Sequence, residues 1–228
     1  MEWKSLLSAE REYRDYKKSD IRNAFQRDYD RIIFSNVFRR LQNKTQVFPL
    51  PGSIFVHNRL THSLEVSCVG RSLGDSIATK LLARHPELAS THVSEIGSIV
   101  SAACLAHDLG NPPFGHSGEK AIATYFSEGK GMVLKSQLSS MEWEDFTHFE
   151  GNANAFRLLT HQFQGRRKGG FVMTYSTLAS IVKYPFPSIL AGKKPKFGFF
   201  TTEIDDYIKI AEELGIKIGD KLSFSLPE

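Results

Sequence analysis

The chain has 228 residues, of which 41% are hydrophobic and 24% are charged. This composition excludes an intrinsically disordered protein, and no apolar stretch approaches the length of a membrane-spanning helix. The net charge of +4 and the isoelectric point of about 9.0 indicate mild attraction for anions such as nucleotides or nucleic acid, although many ordinary proteins share these values.

The first twenty residues and the two cysteines favour a cytoplasmic protein. Charged residues recur from Met1 to Asp20, which is not the pattern of a signal peptide. Cys68 and Cys104 both lie in apolar helical patterns, so we expect reduced thiols in the core.

The first three predicted helices follow from the spacing of apolar residues. The first pattern comprises Ile21, Phe25, Tyr29, Ile32, Ile33, Val37, Phe38 and Leu41. Prolines and a glycine in residues 46–53 interrupt it. The apolar stripe of a second, long helix comprises Leu60, Leu64, Val69, Leu73, Ile77 and Leu81, and this helix is expected to end near His85. The third helix is expected to have Ser94 as its N-cap and Gly110 as its terminator. Its predicted buried face comprises Ile96, Ile99, Val100, Ala103 and Cys104.

The rest of the chain is also predicted to be mainly helical. A short helix is expected at about residues 117–126, and a loop or hairpin at residues 129–140. Further helices follow His148 and occupy residues 174–183 and 203–214, the last of them capped by Gly215. No internal repeat is present, and the predicted fold class is mostly α.

His107 and Asp108 are candidate metal ligands at the end of the third helix. Imidazole and carboxylate together suit Mg, Mn, Fe or Zn. Adjacent residues diverge by about 100° around a helix, so both reach one ion only if it lies in a notch beside the helix. His62 on the second helix is the natural third ligand. By itself the pair is weak evidence for a metal site and fits better a helix C-terminus at which the dipole favours histidine.

His116 and Glu119 are candidates for proton transfer. Pro112 and Pro113 end the preceding helix and restrict the turn that follows. Residues three apart share one helix face, where a carboxylate can orient an imidazole. Alternatively, His116 is an N-cap and Glu119 a favourable first-turn acid.

Five stretches together carry a family resemblance. They are RDYDRIIFSNVFRRLQNKTQVFPL (27–50), NRLTHSLEV (58–66), AHDLGNPPFGH (106–116), NPPFGHSGE (111–119) and HFEGNANAFRLL (148–159). The chain resembles the HD-domain phosphohydrolases, and most closely the dGTPase-like deoxynucleoside triphosphate triphosphohydrolases, over about residues 19–185. The resemblance implies a helical HD bundle around a metal site, which we assign to one domain, 1–228.

The resemblance also implies an activity and its machinery. Water would attack the α-phosphorus of a deoxynucleoside triphosphate, foremost dGTP, and release deoxynucleoside and inorganic triphosphate. His62, His107 and Asp108 would hold a divalent ion, Mg²⁺ or Mn²⁺ in the first place and Fe, Co, Ni or Zn as alternatives. His116 and Glu119 would form the acid–base pair.

Four further residues match substrate-side positions of the family. Gln46 would contact the deoxyribose. Arg59 would bind the α-phosphate, unless it is an ordinary surface arginine. His148 would lie near the phosphates, unless it only caps a helix. Asn111 stands where some relatives have another histidine. Asn43 and Lys44 could approach the phosphates but are assigned no role.

One family feature is missing from the sequence. HD sites take a fourth ligand, an aspartate in a motif resembling EAADD, and no such motif occurs here. Asp205 and Asp206 are instead expected in the first turn of a helix. We therefore expect the chain to be the N-terminal part of a longer all-α protein.

Partners and alternatives follow from the same resemblance. Relatives form oligomers, often hexamers, so self-association is expected. The basic loop at residues 165–170 leaves room for single-stranded nucleic acid as an effector. Two other functions remain open: an HD phosphohydrolase acting on other nucleotides, such as a 5′-nucleotidase, and a catalytically silent nucleotide-binding or oligomerisation module.

Overall fold

The computed structural model describes residues 2–12, 21–44, 58–165, 168–192 and 196–218. The α-helices in these ranges are α1 (Trp3–Leu6), α2 (Ala24–Ile33), α3 (Asn36–Arg39), α4 (Arg59–Arg84), α5 (Ile96–Ala106), α6 (His116–Ser127), α7 (Ser140–Thr147), α8 (Gly151–Thr160), α9 (Tyr175–Ile181) and α10 (Ile204–Glu213). Over the same ranges there is no β-strand, and isolated bridges join Arg11 with Thr174 and Pro187 with Phe199. The mostly α prediction is confirmed.

Helix α5 is the central element of the core. It packs against α2, α4 and α9, and its residues Leu105 and Ala106 are fully buried. The main apolar cluster joins them to Leu109, Phe156 on α8 and Tyr207 on α10. In the part of the chain that the structure describes, no helix is both long and apolar enough to cross a membrane.

The predicted second helix, α4, has its predicted length but buries a different face. Val69, Leu73 and Ile77 are 59%, 61% and 51% exposed. The buried positions of α4 have small side chains: Ser63, Ser67, Gly70, Gly74 and Ala78. The apolar stripe that marks this helix in the sequence is therefore not its buried face at Val69, Leu73 and Ile77.

Close approach of two helix backbones explains this reversal. A Cβ atom on Gly74 would lie 2.7 Å from the Cα of Gly97 on α5, and one on Gly70 would lie 2.6 Å from the Sγ of Cys104. Ser67 donates a hydrogen bond from Oγ to the carbonyl of Ser101 at 2.9 Å. Small residues thus let α4 pack directly on α5, which larger apolar side chains would prevent.

Several predicted boundaries are also corrected. Ser94 is not an N-cap, because it lies inside a 3₁₀-helix (Val93–Glu95) that leads into α5. Helix α5 ends at Ala106, earlier than Gly110. Residues 129–140 contain a 3₁₀-helix (Lys130–Gln137) rather than a hairpin.

The exposure of individual side chains differs from the sequence prediction at Ile21, at the two cysteines and on the predicted buried face of α5. Ile21 is fully exposed ahead of α2, whose N-cap is Asn23. Cys68 is exposed and Cys104 is half-buried; both are free thiols. Of the predicted buried face of α5, Ile99 is buried, whereas Val100 and Ala103 are only partly so. The predicted break at residues 46–53 falls outside the described residues.

Candidate metal and catalytic centre

The packing of α4 on α5 brings the three predicted metal ligands together. His62 lies in the first turn of α4, and His107 and Asp108 directly follow α5. Each offers a ligand atom within 4.8 Å of the others, and the two imidazole centroids are 5.3 Å apart. A group of this kind could hold a divalent metal ion, because it combines two imidazoles with one carboxylate.

A backbone hydrogen bond fixes the orientation of His107. Its Nδ1 lies 2.7 Å from the carbonyl oxygen of Cys104. Because a carbonyl can only accept, Nδ1 must carry the proton, which leaves Nε2 of the neutral ring with a free lone pair. Partners of this type hold metal-binding histidines in the correct tautomer.

Asp108 is buried and both of its carboxylate oxygens are bonded. Arg59 donates from Nη1 to Oδ2 at 2.8 Å, and Asn111 donates from Nδ2 to Oδ1. The side chains of Arg59 and Asp108 are 11% and 9% exposed, so this ion pair is largely shielded from water. Arg59 is thus held beside the candidate metal ligands, and its Nε is buried with no partner in the described ranges.

Lys44 adds a second cation that the sequence prediction left without a role. Its Nζ donates to the carbonyl of Asn111 at 2.7 Å. Burial lowers the pKa of Lys44, and the charges of Arg59 and Arg40 lower it further against the opposing charge of Asp108. Positive charge therefore accumulates beside the three ligands, which suits a polyphosphate.

The turn between the two halves of the site is tight. Phe114 and Gly115 have positive φ angles of 66° and 54°. The N-cap of α6 is Gly115, and no side chain caps this helix, so the alternative interpretation of His116 as an N-cap was wrong.

His116 and Glu119 form the predicted pair at the start of α6. The Nδ1 of His116 lies 2.7 Å from Oε2 of Glu119, and the side chains are 85% and 11% exposed. The other oxygen, Oε1, accepts the backbone N–H of Gly151 at 2.9 Å. An exposed imidazole backed by a buried carboxylate can transfer protons to or from a bound molecule.

Lys196 is a further cation near this pair that sequence reasoning missed. Its Nζ lies 2.8 Å from Oε2 of Glu150. Burial alone would lower the pKa of Lys196, but the hydrogen bond and charge of Glu150, together with the charges of Glu119 and Tyr184, raise it. Lys196 lies in a segment without regular secondary structure, so no periodic pattern predicts which residues its side chain contacts.

The remaining predicted residues have different outcomes. Gln46 lies outside the described residues. His148 ends α7 and pairs with Glu144, Nδ1 to Oε2 at 2.9 Å, so its proposed phosphate contact stays a prediction. Asp205 and Asp206 lie in the first turn of α10, as predicted. Across the described ranges, the group of His62, His107 and Asp108 is the single one found with metal-binding geometry.

Comparison with known proteins gives consistent matches. A family model described as "HD domain" matches residues 59–184. The chain is 47% identical over 226 residues to the "Deoxyguanosinetriphosphate triphosphohydrolase-like protein" of Pseudomonas aeruginosa, covering 95% of this chain and 50% of that protein. A protein of the same name from Synechocystis sp. is 45% identical over 229 residues, covering 95% of this chain and 52% of the relative.

A third relative has the shorter name "Deoxyguanosinetriphosphate triphosphohydrolase". It comes from Yersinia enterocolitica and is 36% identical over 239 residues, covering 89% of this chain and 44% of that protein. The chain spans about half the length of the curated relatives it matches.

Proposed function

The chain belongs to the HD-domain family, and we propose that it hydrolyses deoxynucleoside triphosphates, dGTP foremost, to deoxynucleoside and inorganic triphosphate. One observation carries this proposal. Three metal-ligand side chains, a cationic pair and an exposed histidine backed by a carboxylate lie around one turn of the chain. The names of the relatives point to the same chemistry.

The residues fit a divalent ion, for which we propose Mg²⁺ or Mn²⁺. The free Nε2 of His107, the imidazole of His62 and the carboxylate of Asp108 would hold it. When bound, such an ion supplies Lewis acidity and lowers the pKa of water.

The other residues position the substrate and move the proton. Lys44 and Arg59 would neutralise phosphate oxygens, which is the main catalytic demand of phosphoryl transfer. A water oxygen bonds to the α-phosphorus while the P–O5′ bond breaks, and O5′ needs a proton. With Nδ1 of His116 directed to Glu119, its Nε2 is free to exchange that proton.

Substrate selection is assigned to residues matched by resemblance. We propose that Gln46 reads the deoxyribose, that His148 approaches the phosphates, and that Asn111 both orients Asp108 and borders the substrate. We further propose that the chain self-associates, with a hexamer as one form. Single-stranded nucleic acid is proposed as an effector, and the location as cytoplasmic.

A second candidate function rests on the number of metal ligands. The described residues supply three, and the chain matches about half of each relative. A chain that lacks the fourth ligand would serve as a nucleotide-binding or oligomerisation module that does not hydrolyse nucleotides. A 5′-nucleotidase-like activity is the enzymatic alternative.

Product analysis distinguishes these functions. The protein is incubated with each deoxynucleoside triphosphate and Mg²⁺ or Mn²⁺, and products are separated by chromatography. Deoxynucleoside with triphosphate supports the proposal, whereas monophosphate with pyrophosphate, or no turnover, counts against it. His107→Ala should abolish turnover, while His85→Ala, at an exposed histidine after α4, is the matched control.

A further inference from the structure

The N-terminus of α8 contacts both halves of the candidate site. The backbone N–H of Gly151, its first residue, bonds Oε1 of Glu119 at 2.9 Å. One turn later, Nδ2 of Asn154 donates to the carbonyl of Gly110 at 2.8 Å. Helix α8 is therefore docked on the turn that separates the metal ligands from His116.

The close contact between α8 and the turn requires glycine at two positions, Gly151 and Gly110. A Cβ atom on Gly151 would lie 2.2 Å from Oδ1 of Asn111 and 2.8 Å from Oε1 of Glu119. A Cβ atom on Gly110 would lie 2.1 Å from the carbonyl oxygen of Gly151. All three separations are below van der Waals contact, so any larger residue must displace the helix or the side chains of the site.

The amide of Gly151 also selects how Glu119 is oriented. Glu119 is buried, and a buried carboxylate needs hydrogen-bond donors. The helix N-terminus supplies one donor and a favourable dipole to Oε1. With Oε1 fixed, Oε2 is left directed at the imidazole of His116, 2.7 Å away.

We propose that Gly151 is a positioning residue for the reaction, acting through Glu119 and Asn111. Its amide holds Glu119 in register with His116. Because Gly151 has no side chain, the side chain of Asn111 can lie against the start of α8 next to Glu119. Asn111 in turn bonds the proposed metal ligand Asp108. Gly151 thereby sets the distance between the metal half and the proton half of the site. This role rests on the function proposed above.

Gly151→Ala tests the proposal. We expect kcat to fall by about ten- to a hundred-fold, the usual range when a group that orients a functional residue is disturbed. In a Glu119→Gln background the same substitution should add less than its full loss, because one of the two residues through which Gly151 acts is already changed. Full activity of Gly151→Ala, or losses that multiply independently, would overturn the role.

Asn154→Ala is the matched control on the same helix. It removes the hydrogen bond from α8 to the carbonyl of Gly110 but keeps the Gly151 amide in place. A smaller loss of kcat than in Gly151→Ala is expected. Equal losses would mean that loosening of α8 is responsible, and the specific role of Gly151 would be refuted.

A spectroscopic readout separates this inference from the proposed function. Nitrogen-15 NMR of His116 reports its tautomer: Nδ1–H should dominate in the wild type and be reduced in Gly151→Ala. An unchanged tautomer overturns the positioning role, whether or not any nucleotide is hydrolysed. Absence of turnover in the wild type refutes the proposed function instead.

Hydrogen exchange decides the question if Gly151→Ala does not fold. The Gly151 amide should exchange at least about ten-fold faster in Glu119→Ala than in the wild type, because its acceptor is gone. Equal exchange rates would show that Glu119 does not hold this amide, and the proposal would fail.

Discussion

Leu73→Ala measures whether α4 packs through its small face. Leu73 is 61% exposed, so only about two fifths of its surface is buried. Full burial of a leucine contributes about 1.5–3 kcal/mol, so this truncation should cost about 1 kcal/mol or less in free energy of unfolding.

Leu105→Ala is the matched comparison, since it is the same substitution on the partner helix. Leu105 is fully buried beside Ala106 and Leu109 in the main core cluster. Truncating a leucine at such a site costs about 2–5 kcal/mol, because a cavity remains in addition to the lost burial.

Urea unfolding followed by circular dichroism at low protein concentration provides the assay. The two variants should differ by at least about 1 kcal/mol in unfolding free energy. If Leu73→Ala were as destabilising as Leu105→Ala, Leu73 would be a core residue. The packing that brings His62 to His107 would then be wrong.

Three other predictions test separate parts of the molecule. Asn111→Ala should weaken Mn²⁺ binding by about ten- to a hundred-fold in calorimetry, because Asp108 loses an orienting donor; unchanged affinity would contradict this. Burial, opposed by Thr202 and Arg157, raises the pKa of Glu203 above its usual 4.5, so ionisation is less favourable in the folded state. Wild-type stability should therefore fall as the pH rises from about 4.5 through the raised folded pKa, and Glu203→Gln should lack this decline in urea unfolding; parallel pH profiles would refute it. Cys68 should react with a thiol reagent faster than Cys104, whose pKa burial raises, and equal rates would contradict the exposure of Cys68.

The helices and two of the three candidate metal ligands could be predicted because their signals are local. Apolar spacing marks a helix wherever it packs, and the long helix was placed within a residue of its observed end at Arg84. His107 and Asp108 are adjacent in sequence, so one helix end positions both. His62 was a candidate third ligand from its place on the second helix, but its approach to the other two depends on how α4 meets α5, which the spacing of apolar residues does not show.

The face that α4 buries could not be read from hydrophobicity alone. The stripe containing Leu73 is the more apolar one, but contact with α5 is limited by the distance between the two backbones. The usable signal was the recurrence of small residues at Ser67, Gly70 and Gly74, which permits close helix packing. The small residues and the apolar stripe predict different buried faces for α4. Which face is buried depends on the helix against which α4 packs.

The support around Glu119 was beyond sequence reasoning for a different reason. Gly151 is 32 residues further along the chain, and its role depends on a contact made by a backbone amide. Lys196 likewise reaches the site through Glu150 from an irregular segment. Gly151 lies in one of the stretches that carry the family resemblance (148–159), but neither contact follows from a periodic pattern in the sequence.

Hydrolysis of dGTP in ¹⁸O-labelled water with Mn²⁺, followed by mass spectrometry, tests the central claim most directly. Attack on the α-phosphorus predicts unlabelled deoxyguanosine and inorganic triphosphate that contains one ¹⁸O atom. Labelled deoxyguanosine, or dGMP with pyrophosphate, would contradict the account.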